Sequence, residues 1–257
     1  MNDSPGGSAI RVARAGAAMT VTLDRPQRHN ALHAVDIDVL HEAITSCEED
    51  PAVRVLVLTG AGSRTFCSGA ALSEMESGEM SGGMFDSLTD RLSSLDRPTI
   101  ARVNGSLYGG GVELALCCDF RIGVTGSRLR VPAAELGVCY PPGGVRRYVA
   151  RLGVTVASRV LLAAEELEAS EMHSTGFLTH LVEPAELDIT VDALVERLSA
   201  LAPLAVRNMK RMIVGMADGQ AHLGEWAKMV DECAASSDQR EGLRAWHEGR
   251  APDFRGS

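Results

Sequence analysis

Aromatic residues are scarce in this chain, at 4% of its 257 positions, and that scarcity disfavours the base-stacking platform used to hold single-stranded nucleic acid. Long basic runs are missing too. The formal charge is -9, and lysine and arginine gather only at Arg25 and Arg28, Arg146 and Arg147, and Lys210 and Arg211. No stretch concentrates the cations that a nucleic-acid backbone requires. Each small cluster can contact one phosphate, with plain solvation as the alternative. No apolar run approaches the length of a membrane span. The six cysteines (Cys47, Cys67, Cys117, Cys118, Cys139, Cys233) form no CxxC pair and sit mostly among apolar neighbours, a pattern that reads as reduced thiols packed in a cytoplasmic protein. The opening MNDSPGGS has no basic segment followed by an apolar run and is not read as a secretory signal.

What is present is enough apolar residue, 45%, to bury a sizeable core in one large domain or a domain with an appendage. Met19 to Leu23 alternates and predicts a strand. The apolar residues from Leu32 to Cys47 recur at helical spacing, and Val53 to Leu58 reads as a buried strand. The loop RTFCSGAALSEM is rich in small residues that let backbone amides face a ligand. Met75 to Asp86 is glycine-rich and aperiodic, which predicts a mobile loop or lid. Leu88 to Leu95 reads as a helix, Thr99 to Val103 and FRIGV as strands, Val145 to Leu152 and Val156 to Ala164 as helices, and Phe177 to Val182 as a late strand. From Glu186 onward the signals are helical only. This order implies an α/β core with a helical appendage, whose apolar stripes need the core or a neighbouring subunit as partner, while Trp226 and Trp246 are expected to pack within the helical tail. His29 and His33 are four apart but straddle a loop-to-helix junction with no third ligand nearby, so no metal site is expected.

The stretch most suggestive of chemistry is RVNGSLYGGGVELALCCD, Arg102 to Asp119. Three consecutive glycines, Gly109 to Gly111, open an apolar helix that carries one carboxylate, Glu113. Glycine there suggests that backbone passes close to something. The unpartnered first amides of a helix can hold an anion, or a carbonyl oxygen becoming one. The alternative is a tight turn with a partly solvated glutamate.

Four stretches, LDRPQRHNAL, VLVLTGAGSRTFCSGAALSEM, RPTIARVNGSLYGGGVELALCCDFRI and AAELGV...PPGGVRRYVARLG, together resemble the enoyl-CoA hydratase and isomerase family, the crotonase superfamily. Shorter echoes follow in FLTHLVEPAEL, APLAVRNMK and EGLRAWHEGRAPDF, so the resemblance spans nearly the whole chain. It implies a crotonase-like spiral of ββα units over residues 1–195 and a C-terminal α-helical region, 196–257, that mediates trimers, often paired into hexamers. Substrates would be acyl thioesters of coenzyme A, the coenzyme being part of the substrate and no separate cofactor being needed. Carried over position by position, the oxyanion hole would be the amides of Ala70 and Gly110, and Glu113 falls on the first of two hydratase glutamates. The pantetheine and adenine would lie near Asn30, Ala31 and Leu32 and near Ser68, Ala71 and Leu72, with Arg25 and Arg28 candidates for the coenzyme phosphates. Lys210 is a further candidate, reaching a phosphate across a subunit boundary.

Two departures stand out. Ala133 occupies the place of the second glutamate, and Glu135 comes two residues later, roughly 6 to 7 Å along an extended segment. Ala71 replaces the usual aspartate after the oxyanion-hole residue. One surviving mechanism has Glu113 alone as acid and base, giving hydration, dehydration or double-bond migration. Another is decarboxylation through the oxyanion hole, with Tyr140 of LGVCYPPGG binding a carboxylate, although such members often carry histidine where Ala70 stands. A non-catalytic acyl-CoA binder is the alternative of a different class. Serine hydrolysis is weaker, as no GxSxG elbow occurs.

Overall fold

The computed structural model describes residues 7–257. The strands are β1 (Ile10–Ala15), β2 (Ala18–Leu23), β3 (Val55–Gly60), β4 (Thr65–Cys67), β5 (Thr99–Val103), β6 (Ser106–Tyr108), β7 (Phe120–Val124), β8 (Arg128–Arg130), β9 (Leu167–Glu168) and β10 (His180–Val182). The helices are α1 (Ala34–Glu49), α2 (Leu72–Ser77), α3 (Gly82–Ser94), α4 (Gly110–Cys117), α5 (Pro142–Leu161), α6 (Ala169–Ser174), α7 (Leu187–Ser199), α8 (Pro203–Ala217), α9 (Leu223–Ala235) and α10 (Ser237–Glu248).

A single unit repeats three times. One strand joins a six-stranded sheet, a three-residue strand joins a four-stranded sheet, and helix follows: β3, β4 and α2–α3, then β5, β6 and α4, then β7, β8 and α5. The sheets accordingly run β1-β2-β3-β5-β7-β10 and β4-β6-β8-β9, parallel wherever successive units meet. This is the expected spiral of ββα units. All six residues of β3 are buried, as suits a β-branched and leucine run covered on both faces. One core lies between the sheets and α1, α3, α4 and α5. A second lies on the other face of the larger sheet, where Val55, Val57, Ile100 and Ile122 meet Leu187, Val191 and Leu198 of α7.

Set against the sequence expectations, the elements agree in some places and differ in others. Residues 75–86 are not an aperiodic loop: they hold the end of α2 and the start of α3, whose Ser81 hydroxyl caps the Met84 amide. The two helices expected at 145–152 and 156–164 are both present, as the two halves of α5 that meet at a kink at Gly153, where φ is 73°. β10 is shorter than expected, because Phe177 and Leu178 are buried core residues before the strand begins. β1, an edge strand carrying Arg11 and Arg14, had no sequence signal strong enough to place it. Trp246 does not pack in the tail and is 85% exposed, whereas Trp226 is buried against Gly215. The boundary at 196 falls inside α7, whose last buried residue, Leu198, is part of the second core.

Candidate active site

The site forms where the second and third repeats meet the loop of the first. α4 starts one residue after β6, across Gly109 at φ 48°. A Cβ at 111 would stand 2.2 Å from the Cys67 carbonyl oxygen, and one at 110 would stand 2.6 Å from Cζ of Phe85. The close approach that the glycine run implies is therefore made in part by the chain itself. On the other side, Gly69 (φ 87°) abuts the Gly110 amide: a Cβ at 69 would lie 2.6 Å from that nitrogen. The Leu32 amide donates to the Gly69 carbonyl at 2.9 Å and the Ala71 amide donates to the Leu32 carbonyl at 2.8 Å. Along this extended bridge, successive amides point to opposite sides, so the Ala70 N–H faces away from Leu32. Ser68, Ala70, Gly109, Gly110 and Glu113 all line one cavity of about 240 Å³, closed by Leu72, Phe85, Asp86, Ala133 and Tyr140.

Seven of the eight residues of α4 are buried, Glu113 among them at 1% exposure. A lone carboxylate there would be strongly penalised. Arg147 of α5, itself 5% exposed, donates to Glu113 Oε1 from Nε at 3.1 Å and from Nη2 at 2.6 Å. The same guanidinium donates to Asp90 Oδ1 and Thr89 Oγ1 of α3, each at 2.6 Å. Glu113 Oε2 receives neither Arg147 bond. Burial raises the Glu113 pKa above its ordinary value, with Arg147 opposing and Asp86 adding to the rise. Gly144, one helical turn before Arg147, leaves room for this carboxylate: a Cβ there would be 3.1 and 3.2 Å from its two oxygens.

Tyr140 meets Tyr148 edge-on, with ring centroids 5.6 Å apart, and burial raises its phenol pKa. Glu135 does not join the cavity; it is exposed and pairs with Arg130 Nη2 at 2.7 Å. The coenzyme candidates divide. Leu72 and Ser68 line the cavity, with Ala71, Ala31 and Leu32 in the adjoining bridge. Asn30 is buried and staples two loops, donating to the carbonyls of Ala61 at 3.1 Å and Thr65 at 2.7 Å. Arg25 turns inward, donating to Asp36 Oδ2 at 2.7 Å and the Ala31 carbonyl at 2.8 Å, while Arg28 is exposed on the same turn. Lys210 is buried in an ion pair with Asp119 at 2.7 Å rather than presented to a phosphate. His29 and His33 go to different partners, Thr65 and Glu74.

The model of the enoyl-CoA hydratase/isomerase family matches residues 14–257. The chain belongs to that family. It is 32% identical over 248 residues to a short-chain-enoyl-CoA hydratase of Clostridium acetobutylicum, covering 94% of this chain and 95% of that one. It is 33% identical over 240 residues to a crotonyl-CoA hydratase of Syntrophomonas wolfei, covering 90% and 92%. Among solved structures, an enoyl-CoA hydratase from Bacillus anthracis superposes with a TM-score of 0.88 at 28% identity, covering 97% of this chain and all of the other.

Within this family frame, Ala133 lines the cavity at 8% exposure. No carboxylate reaches the site from that position. The residues that sequence reasoning missed are Arg147, grouped there with Arg146 as a possible phosphate contact, and Asp86, assigned to a loop. A usable signal existed for both: Asp86 and Asp90 are four apart, as are Phe85 and Thr89, which on a helix puts each pair on one face, and Gly144 stands three before Arg147.

Proposed function

We propose that this chain is an acyl-CoA enzyme that adds water to, or shifts the double bond of, an enoyl thioester, with Glu113 as proton carrier. The observation that carries this reading is a buried carboxylate with one oxygen clamped by Arg147 and the other unclaimed by that clamp, in the same cavity as the Ala70 and Gly110 amides. A thioester oxygen at those two amides becomes an enolate oxygen during reaction, and each preorganised donor contributes about 3 kcal/mol to stabilising it. Glu113, whose ionised form the guanidinium favours, takes a proton from water or from the carbon chain and returns it. The acyl group occupies the cavity between Phe85, Leu72 and Tyr140. The pantetheine arm follows the Leu32–Ala70 bridge, with Arg28 outside it as the phosphate contact. Coenzyme A comes with the substrate, and no separate cofactor takes part.

Glu113→Gln tests this: the variant should lose at least 100-fold in hydration and isomerisation of crotonyl-type thioesters while still binding them. Hydration at the wild-type rate in that variant refutes the role. A second reading, decarboxylation of a malonyl-type thioester, has Tyr140 in the cavity as its support; it requires Tyr140→Phe to harm carbon dioxide release more than Glu113→Gln does.

Partners follow from the surface. Ile213, Leu223, Val230, Leu243 and Trp246 are all more than half exposed on the tail helices, an apolar area that a lone subunit leaves wet. A homotrimer built through this tail, alone or paired, covers it. No helix among the described residues is long and apolar enough to cross a membrane, and the free cysteines suit a reducing cytoplasm.

A further inference from the structure

Ala133 leaves the site without the second carboxylate of a two-acid hydratase, yet a second carboxylate does line the cavity, from a different helix. Asp86 sits on α3, one turn before Asp90, and borders the same cavity as Glu113. Its Oδ1 is buried and has no hydrogen-bond partner among the described residues. Unpaired buried acceptors are costly, and this one is not explained by the frame: Asp90, Thr89 and Glu113 hold Arg147 without it. Three charged groups act with it, namely Arg147 from α5, Asp90 from its own helix and Glu113 from α4, and Tyr140 lines the same cavity from the connection before α5.

We infer that Asp86 holds the water that attacks the enoyl thioester, its Oδ1 accepting one hydrogen while Glu113 Oε2 accepts the other. The inference rests on the enoyl-thioester reading above and supplies what that reading lacks, a second acceptor for the water. In the step itself Glu113 Oε2 takes one proton as the O–H bond breaks, and the oxygen forms its bond to C3. The C2=C3 electron pair moves to the enolate oxygen at Ala70 and Gly110, and the proton on Glu113 then passes to C2. Atoms and charge balance without a further reactant. Asp86 keeps its own proton state throughout and serves to aim the water.

The role separates two reactions of one site. Exchange of the C2 hydrogen of a saturated thioester needs the base and the enolate cradle but no attacking water. In the full-length chain Asp86→Ala, which removes the acceptor, should therefore lower hydration of crotonyl-CoA by about 10²-fold or more, within the range of a positioned acid-base group. It should leave deuterium uptake by butyryl-CoA in D₂O within about threefold of wild type. Removing the negative charge beside Glu113 should also move the acid limb of the exchange profile to lower pH. Hydration retained in Asp86→Ala, or hydration and exchange lost in equal measure, overturns the water-holding role alone. A wild-type chain that neither hydrates crotonyl-CoA nor exchanges butyryl-CoA overturns the enoyl-thioester reading, and this inference with it.

Discussion

Arg147 is the side chain whose removal tests the site most directly. Arg147→Met keeps much of the buried length and deletes both bonds to Glu113 Oε1, at 3.1 and 2.6 Å. Breaking one side of a buried ion pair costs about 3–5 kcal/mol, because the remaining charge stays out of water. The fold can avoid much of that cost by protonating Glu113. At about 1.4 kcal/mol per pH unit, the acid limb of kcat/KM then moves up by about two units or more. The variant should be slowed on the acid side of its profile and should recover as the pH rises. The stability effect has a definite sign. Burial already raises the Glu113 pKa in the folded state, so its contribution to stability is fully present below the unfolded value, about 4.3, and is lost as pH climbs through the folded one. Loss of Arg147 widens that window, so the variant should be closest to wild type in thermal midpoint near pH 5 and furthest from it near pH 8. Arg147→Lys, which keeps the charge, should shift less. A folded Arg147→Met protein whose acid limb stays at the wild-type pH refutes the idea that this guanidinium sets the charge state of Glu113.

Gly144→Ala places a methyl 3.1 and 3.2 Å from the Glu113 oxygens and 2.9 Å from Cδ1 of Tyr140; moving the carboxylate by a few tenths of an ångström should lower kcat by about tenfold. The thermal midpoint should change little, since alanine favours helix by about 0.5–1 kcal/mol, and unaltered kcat with a bound alanine methyl would show that the carboxylate has slack. Trp246→Asp puts a charge into the exposed tail surface and should shift sedimentation from the proposed trimer toward monomer at micromolar concentration. A trimer of unchanged stability would place the subunit contact elsewhere.

The parts of the fold that were legible in the sequence are those long enough to show a period. α1 shows its stripe of Ile37, Leu40, Ala43, Ile44 and Cys47, and β3 its uninterrupted apolar run. The strands of the smaller sheet, β4, β6 and β8, are three residues each, too short for alternation to register against a glycine-rich background. The glycine run itself was readable as close approach, but not what approaches: the Cys67 backbone and the Phe85 ring arrive from outside the run. Polar loop residues have partners that the sequence does not show. Arg25 and Asn30 look like ligand groups in a loop, and both are consumed in tying that loop to Asp36, Ala61 and Thr65. Glu135 has the right chemistry on the wrong side of a 3-10 turn, where Arg130 takes it.

The segment mistaken for a lid also explains how the site is held together. On α3, Phe85 fills the space over Gly110 and Asp86 borders the cavity, while Thr89 and Asp90, one turn on, anchor the Arg147 guanidinium that clamps Glu113. Beneath them Leu88 and Leu92 fix the helix to the main core. One helical face thus bounds the acyl space, presents the second carboxylate and orients the cation that governs the first. Cavity shape and proton affinity are consequently coupled through a single rigid element: displacing α3 to admit a larger acyl group also loosens Arg147 and weakens its hold on the charge of Glu113. Substrate breadth in such a site is bought with acid-base strength.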